Sequence, residues 1–283
     1  MPFIGRIEYH LVSDGIYWSD GGGVFGVVPK VIWATKTEPD SHNRIPMALN
    51  CLLLKTPTKT ILVDTGLGNK LTPKQAANFG LEQPQEARLL GALQQLDLHP
   101  AEIDIVIATH LHADHCGGHT RLDPETGQIE PTFPQAEYWV QRLELAEASY
   151  PNERTRATYF ADNFAVLKQT GQLKVISGDT PVVDGVRTVI TRGHTKAHQS
   201  ILLESQGELG FYLADLALSS HHFERTAWVS AFDTEPLEKI ETKRYWQHWA
   251  AETGATLLFE HDPQVAVGRL HKDGRHFKVE RLG

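Results

Sequence analysis

The stretch Thr109-His110-Leu111-His112-Ala113-Asp114-His115-Cys116-Gly117-Gly118 constrains this chain more than any other. Three histidines and one aspartate fall within six residues, in the pattern H-x-H-x-D-H. The run ahead of it, Ile103-Asp104-Ile105-Val106-Ile107-Ala108, is apolar and β-branched, which predicts a buried strand. Behind it, Gly117 and Gly118 permit a tight turn that lets a loop wrap closely around something. A lone histidine is more often a surface or core residue than a ligand. Four metal-type side chains packed this densely are hard to explain as a solvated loop. Imidazole nitrogens and carboxylate oxygen, with no thiolate, suit zinc, iron, manganese or cobalt at a hydrolytic site.

The 283 residues allow one large domain or two small ones. Hydrophobic content of 41% and charged content of 22% are those of an ordinary soluble globular protein. A formal net charge of −8 and the lack of a Lys/Arg cluster argue against nucleic acid or an anionic membrane as partner. No apolar run approaches the roughly 18 residues that span a bilayer, and the N-terminus lacks the build of a signal peptide. Cys51 and Cys116 are the two cysteines, and Cys116 adjoins the metal stretch, so a reduced, cytoplasmic setting is expected.

Along the chain, residues 3 to 12 alternate well enough for a first strand. The segment 20–46 opens with Asp20-Gly21-Gly22-Gly23 and reads as a loop, yet it carries Phe25, Val27, Val28, Ile32 and Trp33. Such a loop must bury those side chains in a substrate pocket, a dimer contact or the core. Met47 to Leu54 and Lys59 to Gly66 read as two strands with a turn at Pro57-Thr58. Asp64, at the end of the second, is placed to accept a hydrogen bond from a ligating histidine and fix its tautomer. Gln85 to Leu98 has helical spacing, stopped by His99-Pro100. Glu137 to Val140, Leu173 to Ile176, Arg187 to Thr191 and His276 to Glu280 read as strands. Gln141 to Ser149 and Thr234 to Thr253 read as helices, and 150–165 as an inserted helical lid or connector. Three more strands end on chemistry. Arg192-Gly193-His194-Thr195-Lys196-Ala197-His198 follows one, Leu209 to Ala214 delivers Asp215, and Ala255 to Glu260 delivers His261. Periodicity alone gives an α/β class.

These clusters, in this order, resemble the metallo-β-lactamase superfamily, whose signature is the same H-x-H-x-D-H, and the resemblance covers most of the chain. It implies an αββα sandwich over a single domain, 1–283, with loop 20–46 and insert 150–165 shaping the pocket. It implies that His110, His112 and His194 hold one divalent ion, and that Asp114, His115 and His261 hold a second, with Asp215 bridging. Zinc is the expected metal, with manganese, iron or cobalt as alternatives. Asp64 and His198 would support the ligands by hydrogen bonds. Within the superfamily the chain is most similar to the quorum-quenching N-acyl-homoserine lactonases and the methyl parathion hydrolase branch. The second metal site is complete, Asp215 stands where many zinc β-lactamases use cysteine, and Asp64-Thr65-Gly66-Leu67-Gly68-Asn69-Lys70 has the look of this branch. One departure stands out: those lactonases carry a tyrosine three residues after the bridging aspartate, and here that residue is Leu218. His221, His222 or a tyrosine elsewhere would take its place, or the substrate differs.

Two such ions roughly 3.5–4 Å apart share a water and lower its pKa from about 15.7 toward neutrality, making a bridging hydroxide that attacks a carbonyl or a phosphorus. Asp114 or Asp215 would carry the proton to the leaving group. The expected substrate is a small lactone or ester, with N-acyl-homoserine lactones first and organophosphate triesters or aryl esters as the alternative. Phe25, Trp33, Tyr159, Phe160, Trp228 and Phe232 are candidate apolar lining, for which core packing is an equal reading. A di-iron redox enzyme is disfavoured because nothing resembles a flavin-binding domain, and a nuclease is disfavoured by the acidic charge. Relatives in this branch suggest a homodimer through the N-terminal loop.

Overall fold

The structure is a computed structural model that describes residues 1–81 and 88–282. The first sheet holds β1 (Phe3–Ile4), β2 (Ile7–Asp20), β3 (Arg44–Lys55), β4 (Thr60–Val63) and β5 (Ile105–Ile107). A small hairpin of β6 (Thr120–Leu122) and β7 (Ile129–Pro131) intervenes before β8 (Glu137–Gln141) and β9 (Leu173–Ile176) complete that sheet. The second sheet takes β10 (Thr180–Val183), β11 (Val186–Ile190), β12 (Gln199–Ser205), β13 (Glu208–Tyr212), β14 (Thr256–Leu258), β15 (Val267–Asp273) and β16 (His276–Arg281). In both sheets the spatial order follows the chain order. Pairing is parallel along β4, β5, β8 and β9 and between β13 and β14, and antiparallel elsewhere.

The layering follows from the period-two pleat acting on runs that are apolar at every position. Leu52, Leu54, Ile61, Val63, Ile105 and Ile107 of the first sheet meet Ile201, Leu203, Tyr212 and Leu258 of the second in one core. Their alternate neighbours Cys51, Leu53, Leu62 and Val106 face away, onto the helices Leu89–Gln95 and Arg142–Ser149. On the far side, Phe211, Leu257 and Leu270 pack against Trp246 and Ala250 of the helix Pro236–Thr253. Helices therefore cover both outer faces, and the αββα sandwich is the observed architecture. Both cysteines are buried and unpaired.

Several elements differ from their expected form. The glycine triplet is a helical turn, Gly21–Phe25, capped by the Asp20 carboxylate accepting from the Gly23 N–H, and a second turn covers Lys30–Trp33. A Cβ on Gly21 would fall 2.4 Å from the Trp33 ring, so glycine is what lets that turn lie on the indole. The strand expected at 3–12 is broken by a turn at Gly5-Arg6 into β1 and β2, and β2 runs on to Asp20; β10, β12 and β15 are not among the expected strands. The expected helix 85–98 is helical from Leu89 to Gln95, because Asp97 turns into the left-handed region at φ 55°; its part at 85–87 lies outside the described residues. The insert is mostly turns, with one short 3-10 turn at Ala161–Asn163, rather than a helical lid. It is tied down at Ala113, whose N–H donates to the Thr158 carbonyl (2.9 Å), and at Arg154, which donates to the Asp233 carbonyl (3.0 Å).

The loop after β4 and the loop after β5 interlock backbone to backbone. A Cβ on Gly117 would lie 2.3 Å from the Leu67 carbonyl oxygen, and one on Gly68 would lie 2.3 Å from that of Gly117. Neither neighbour is a flexible side chain that can swing away. Gly117→Ala is therefore expected to destabilise the fold by about 1–3 kcal/mol, the range for overpacking a rigid contact. Urea unfolding measures this; an unchanged midpoint would show the loops to be less tightly interlocked than described.

Candidate metal centre

The clusters that are remote in sequence converge because the strands carrying them end on the same side of the sandwich. β4 leads to Asp64, β5 to His110 through His115, β11 to His194, β13 to Asp215 and β14 to His261. The backbone is held in the left-handed region at Asp64 (φ 56°) and at Ala214 (φ 44°), just before Asp215. Non-glycine residues sit there only when their surroundings enforce it, and such positions cluster at functional sites.

Among the described residues, two buried groups are able to hold an ion: His110, His112 and His194, and His115, Asp215, Glu260 and His261. Asp215 spans both. Its Oδ2 lies 3.0 Å from His194 Nε2, while its Oδ1 lies 3.0 Å from His261 Nε2 and 3.4 Å from His115 Nε2. Asp114 Oδ2 completes the second group, 3.8 Å from His115 Nε2 and 3.7 Å from His261 Nε2.

The outer partners decide which ring nitrogens face inward. His261 Nδ1 lies 2.8 Å from the Ala48 carbonyl, which only accepts, so that nitrogen carries the hydrogen. His194 Nδ1 faces Asp233 Oδ1 at 2.8 Å, and His115 Nδ1 faces Asp64 Oδ2 at 3.1 Å and Glu260 Oε2 at 3.0 Å. Thr109 donates its hydroxyl to Asp64 Oδ2 (2.6 Å), so it accepts from His110 Nδ1 at 3.1 Å. In a neutral ring the other nitrogen is then a lone pair, and all four point into the centre. His115 and His261 set theirs 3.0 Å apart, and His194 Nε2 lies 3.0 Å from His112 Nδ1. His110 Nε2 is buried with no partner at all. Two ring nitrogens brought this close in a dry interior need a proton or a cation between them. The donor set fits divalent metal.

His198 sits behind the centre and steadies Asp215. Its Nε2 accepts the backbone N–H of Asp215 (3.0 Å), and its Nδ1 faces Thr191 Oγ1 (2.8 Å). Asp64 lies behind His115, in keeping with its position after β4. Further residues around the centre carry no signal in the sequence. Tyr17 donates its hydroxyl to Asp114 Oδ2 (2.9 Å); it follows an irregularity in the β2–β3 register between Ser13 and Ile16, where Gly15 has φ 103°. Bulges of this kind re-aim a side chain. Asp14, at the same irregularity, accepts from the N–H groups of Leu67 (2.8 Å) and Leu89 (3.1 Å) and pairs with Arg88. Glu144 accepts from the Leu111 N–H (3.0 Å), the Tyr159 hydroxyl (3.0 Å) and the Thr195 hydroxyl (2.6 Å), joining the first histidine loop, the insert and the His194 loop. Lys239 donates to Asp233 Oδ1 (2.7 Å), backing the carboxylate that holds His194. Nothing in the neighbours of Glu144, Glu260 or Lys239 along the chain marks them out.

Of the candidate lining residues, Phe25, His221 and His222 line a cleft that also touches His261. Trp33 lies beneath this wall in the core, stacked on Phe25 at 5.1 Å between centroids. Trp228 meets Phe25 edge-on at 5.7 Å, and Phe160 is partly buried in the same cluster. Tyr159 is buried with its ring 4.9 Å from that of His112, and Phe232 stands partly exposed against Gly23.

Burial acts against charge on every one of these histidines. For His112 it dominates, aided by His194, and the pKa falls to about 3. For His261 the attraction of Asp215 and Glu260 outweighs burial, and the pKa rises to about 9. A raised histidine pKa stabilises the folded state fully below the ordinary value of 6.5 and loses that contribution as pH climbs through the folded value. Metal-free protein, prepared by chelation, is therefore expected to lose stability between pH 6.5 and about 9, and bound metal to remove that slope. Thermal melts of both forms across this window measure it; parallel pH profiles would count against the cluster.

The Metallo-beta-lactamase superfamily profile matches residues 44–276. An N-acyl homoserine lactonase of Bacillus cereus is 27% identical over 202 residues, which cover 68% of this chain and 73% of the relative. Among solved structures, a probable metal-dependent hydrolase from Staphylococcus aureus is 29% identical, covers 100% of this chain and 99% of its own, and superposes with a TM-score of 0.91. AidC, a dizinc quorum-quenching lactonase, is 22% identical with a TM-score of 0.80, covering 100% and 96%. With the profile spanning most of the residues and the same fold found throughout, the chain belongs to the Metallo-beta-lactamase superfamily and is a hydrolase of that family.

Proposed function

We propose that this hydrolase is a lactonase that opens N-acyl-homoserine lactones with two divalent metal ions, zinc being the expected metal. The observation that carries the reading is Asp215, whose two carboxylate oxygens reach two separate groups of inward-facing imidazole nitrogens. His110, His112 and His194 would hold one ion, and Asp114, His115 and His261 the other, with Asp215 between them. The lactone substrate is supported by the curated relatives named N-acyl homoserine lactonase. Ions bound there supply Lewis acidity and a water of lowered pKa.

In the opening reaction the water oxygen bonds to the lactone carbonyl carbon, the ring C–O bond breaks, and the departing oxygen takes a proton. Asp114 is the proposed carrier of that proton. Its side chain keeps 19% of its surface exposed against 5% for Asp215, which lies deeper between the two groups of imidazoles. The Tyr17 hydroxyl fixes Asp114 Oδ2 from the wall side. Burial and the charges of Asp114 and Asp215 push the Tyr17 pKa well up, so the phenol stays a donor.

Proton release by metal-loaded protein with N-hexanoyl-homoserine lactone, run beside an aryl phosphotriester, tests the reading. Fast opening of the lactone is expected; cleavage of the phosphotriester alone would replace this reading with a phosphotriesterase. Asp114→Asn is expected to lower turnover by roughly 10²–10⁴-fold, the usual worth of a positioned proton carrier. For His112→Ala or Asp215→Ala, elemental analysis should find fewer than two ions per chain and turnover should vanish; near wild-type rates in either would end the two-ion assignment.

A further inference from the structure

A narrow cleft of about 30 Å³ opens beside His261, with apolar walls from Val24, Phe25, Met47 and Leu218, and with Ser219 and His222 among its lining. His222 Nε2 lies 3.1 Å from the Val24 carbonyl oxygen, which only accepts, so this nitrogen carries the ring hydrogen. Burial, together with the charges of Lys243 and Lys239, lowers the His222 pKa to about 3 and keeps the ring neutral. Its Nδ1 is therefore a bare lone pair, and the Ser219 hydroxyl 2.8 Å away must spend its hydrogen on it. Stacking on Phe25, with centroids 4.8 Å apart and planes 19° apart, holds the plane of the ring, and the bonds to Val24 and Ser219 set which nitrogen faces which.

A hydroxyl whose only hydrogen is committed offers nothing but lone pairs to a ligand. We infer that the Ser219 oxygen is an acceptor for the amide N–H of an N-acylated substrate, so that the cleft selects amide-bearing lactones over lactones that lack an N–H. This rests on the lactonase reading for its substrate and adds the group that discriminates within the class. A site built around a substrate N–H rejects the analogue lacking it because a polar group is left unpaired. Ser219 is a specificity residue: it recognises the acyl-amide arm and takes no part in bond cleavage.

Calorimetric binding to metal-loaded protein tests this with two ligands, ring-opened N-hexanoyl-homoserine and the same molecule with CH₂ replacing the amide NH. Neither contains a lactone, so binding is read apart from turnover. Wild type should favour the amide by about fivefold, the worth of one neutral hydrogen bond. Ser219→Ala should bring the ratio to about one, and Ser219→Thr, which keeps the hydroxyl, should retain it. Equal binding by wild type, no binding of either ligand, or an unchanged ratio in Ser219→Ala would each overturn the inference. Lactone opening with a ratio of one would leave the lactonase reading standing and remove this one; a fivefold ratio without lactone opening would do the reverse.

Discussion

An imidazole ring has two nitrogens, and in its neutral form only one carries hydrogen. This centre depends on that asymmetry. The Ala48 carbonyl, Asp233, Asp64 and Thr109 each face one ring nitrogen from outside, and each thereby leaves the other nitrogen pointing into the centre. Four such commitments in one small volume gather ring nitrogens and carboxylate oxygens that a proton or a divalent cation can share.

The surrounding fold is what keeps this arrangement from relaxing. Three cores, one between the sheets and one beneath each outer helical layer, fix the strand ends from which these side chains project. Glu144 gathers donors from three separate loops, and Asp14 with Arg88 does the same for the segment after β4. Both carboxylates are fully buried, and burial raises their pKa values against the pull of their donors. A buried acid serving several backbone and side-chain donors at once is a rigid joint, because losing any one contact strands a polar group. The N-terminal turns act from another side, where Phe25 is packed between Trp33 and His222 and so joins the cleft wall to the core.

Much of the site is legible in the sequence, and the particular cases show why. The H-x-H-x-D-H run is dense enough to be read alone, since its ligands are sequence neighbours. The family resemblance gathers His194, Asp215 and His261, each delivered by an apolar strand. Tyr17 is not legible, because its meaning depends on an irregularity in β2 and on Asp114, which lies 97 residues further on. Glu260 and Lys239 look like an ordinary strand-end acid and an ordinary helical lysine until the fold buries both. The glycine triplet misleads in the other direction: read as a loop, it is a helical turn lying against an indole.

The sequence by itself determined the local quantities: which runs pleat with both faces apolar, which strand ends carry imidazole or carboxylate, and that such groups suit a divalent ion. These follow from residue type and from spacings of a few positions. Only the tertiary structure decided how each ring is turned, which carboxylate stands behind which histidine, and that the Ser219 hydrogen belongs to His222. Those choices are made by single hydrogen bonds between groups far apart along the chain, such as His261 with Ala48 and His222 with Val24. A direction set by a partner some 200 residues away exists only once the chain has folded.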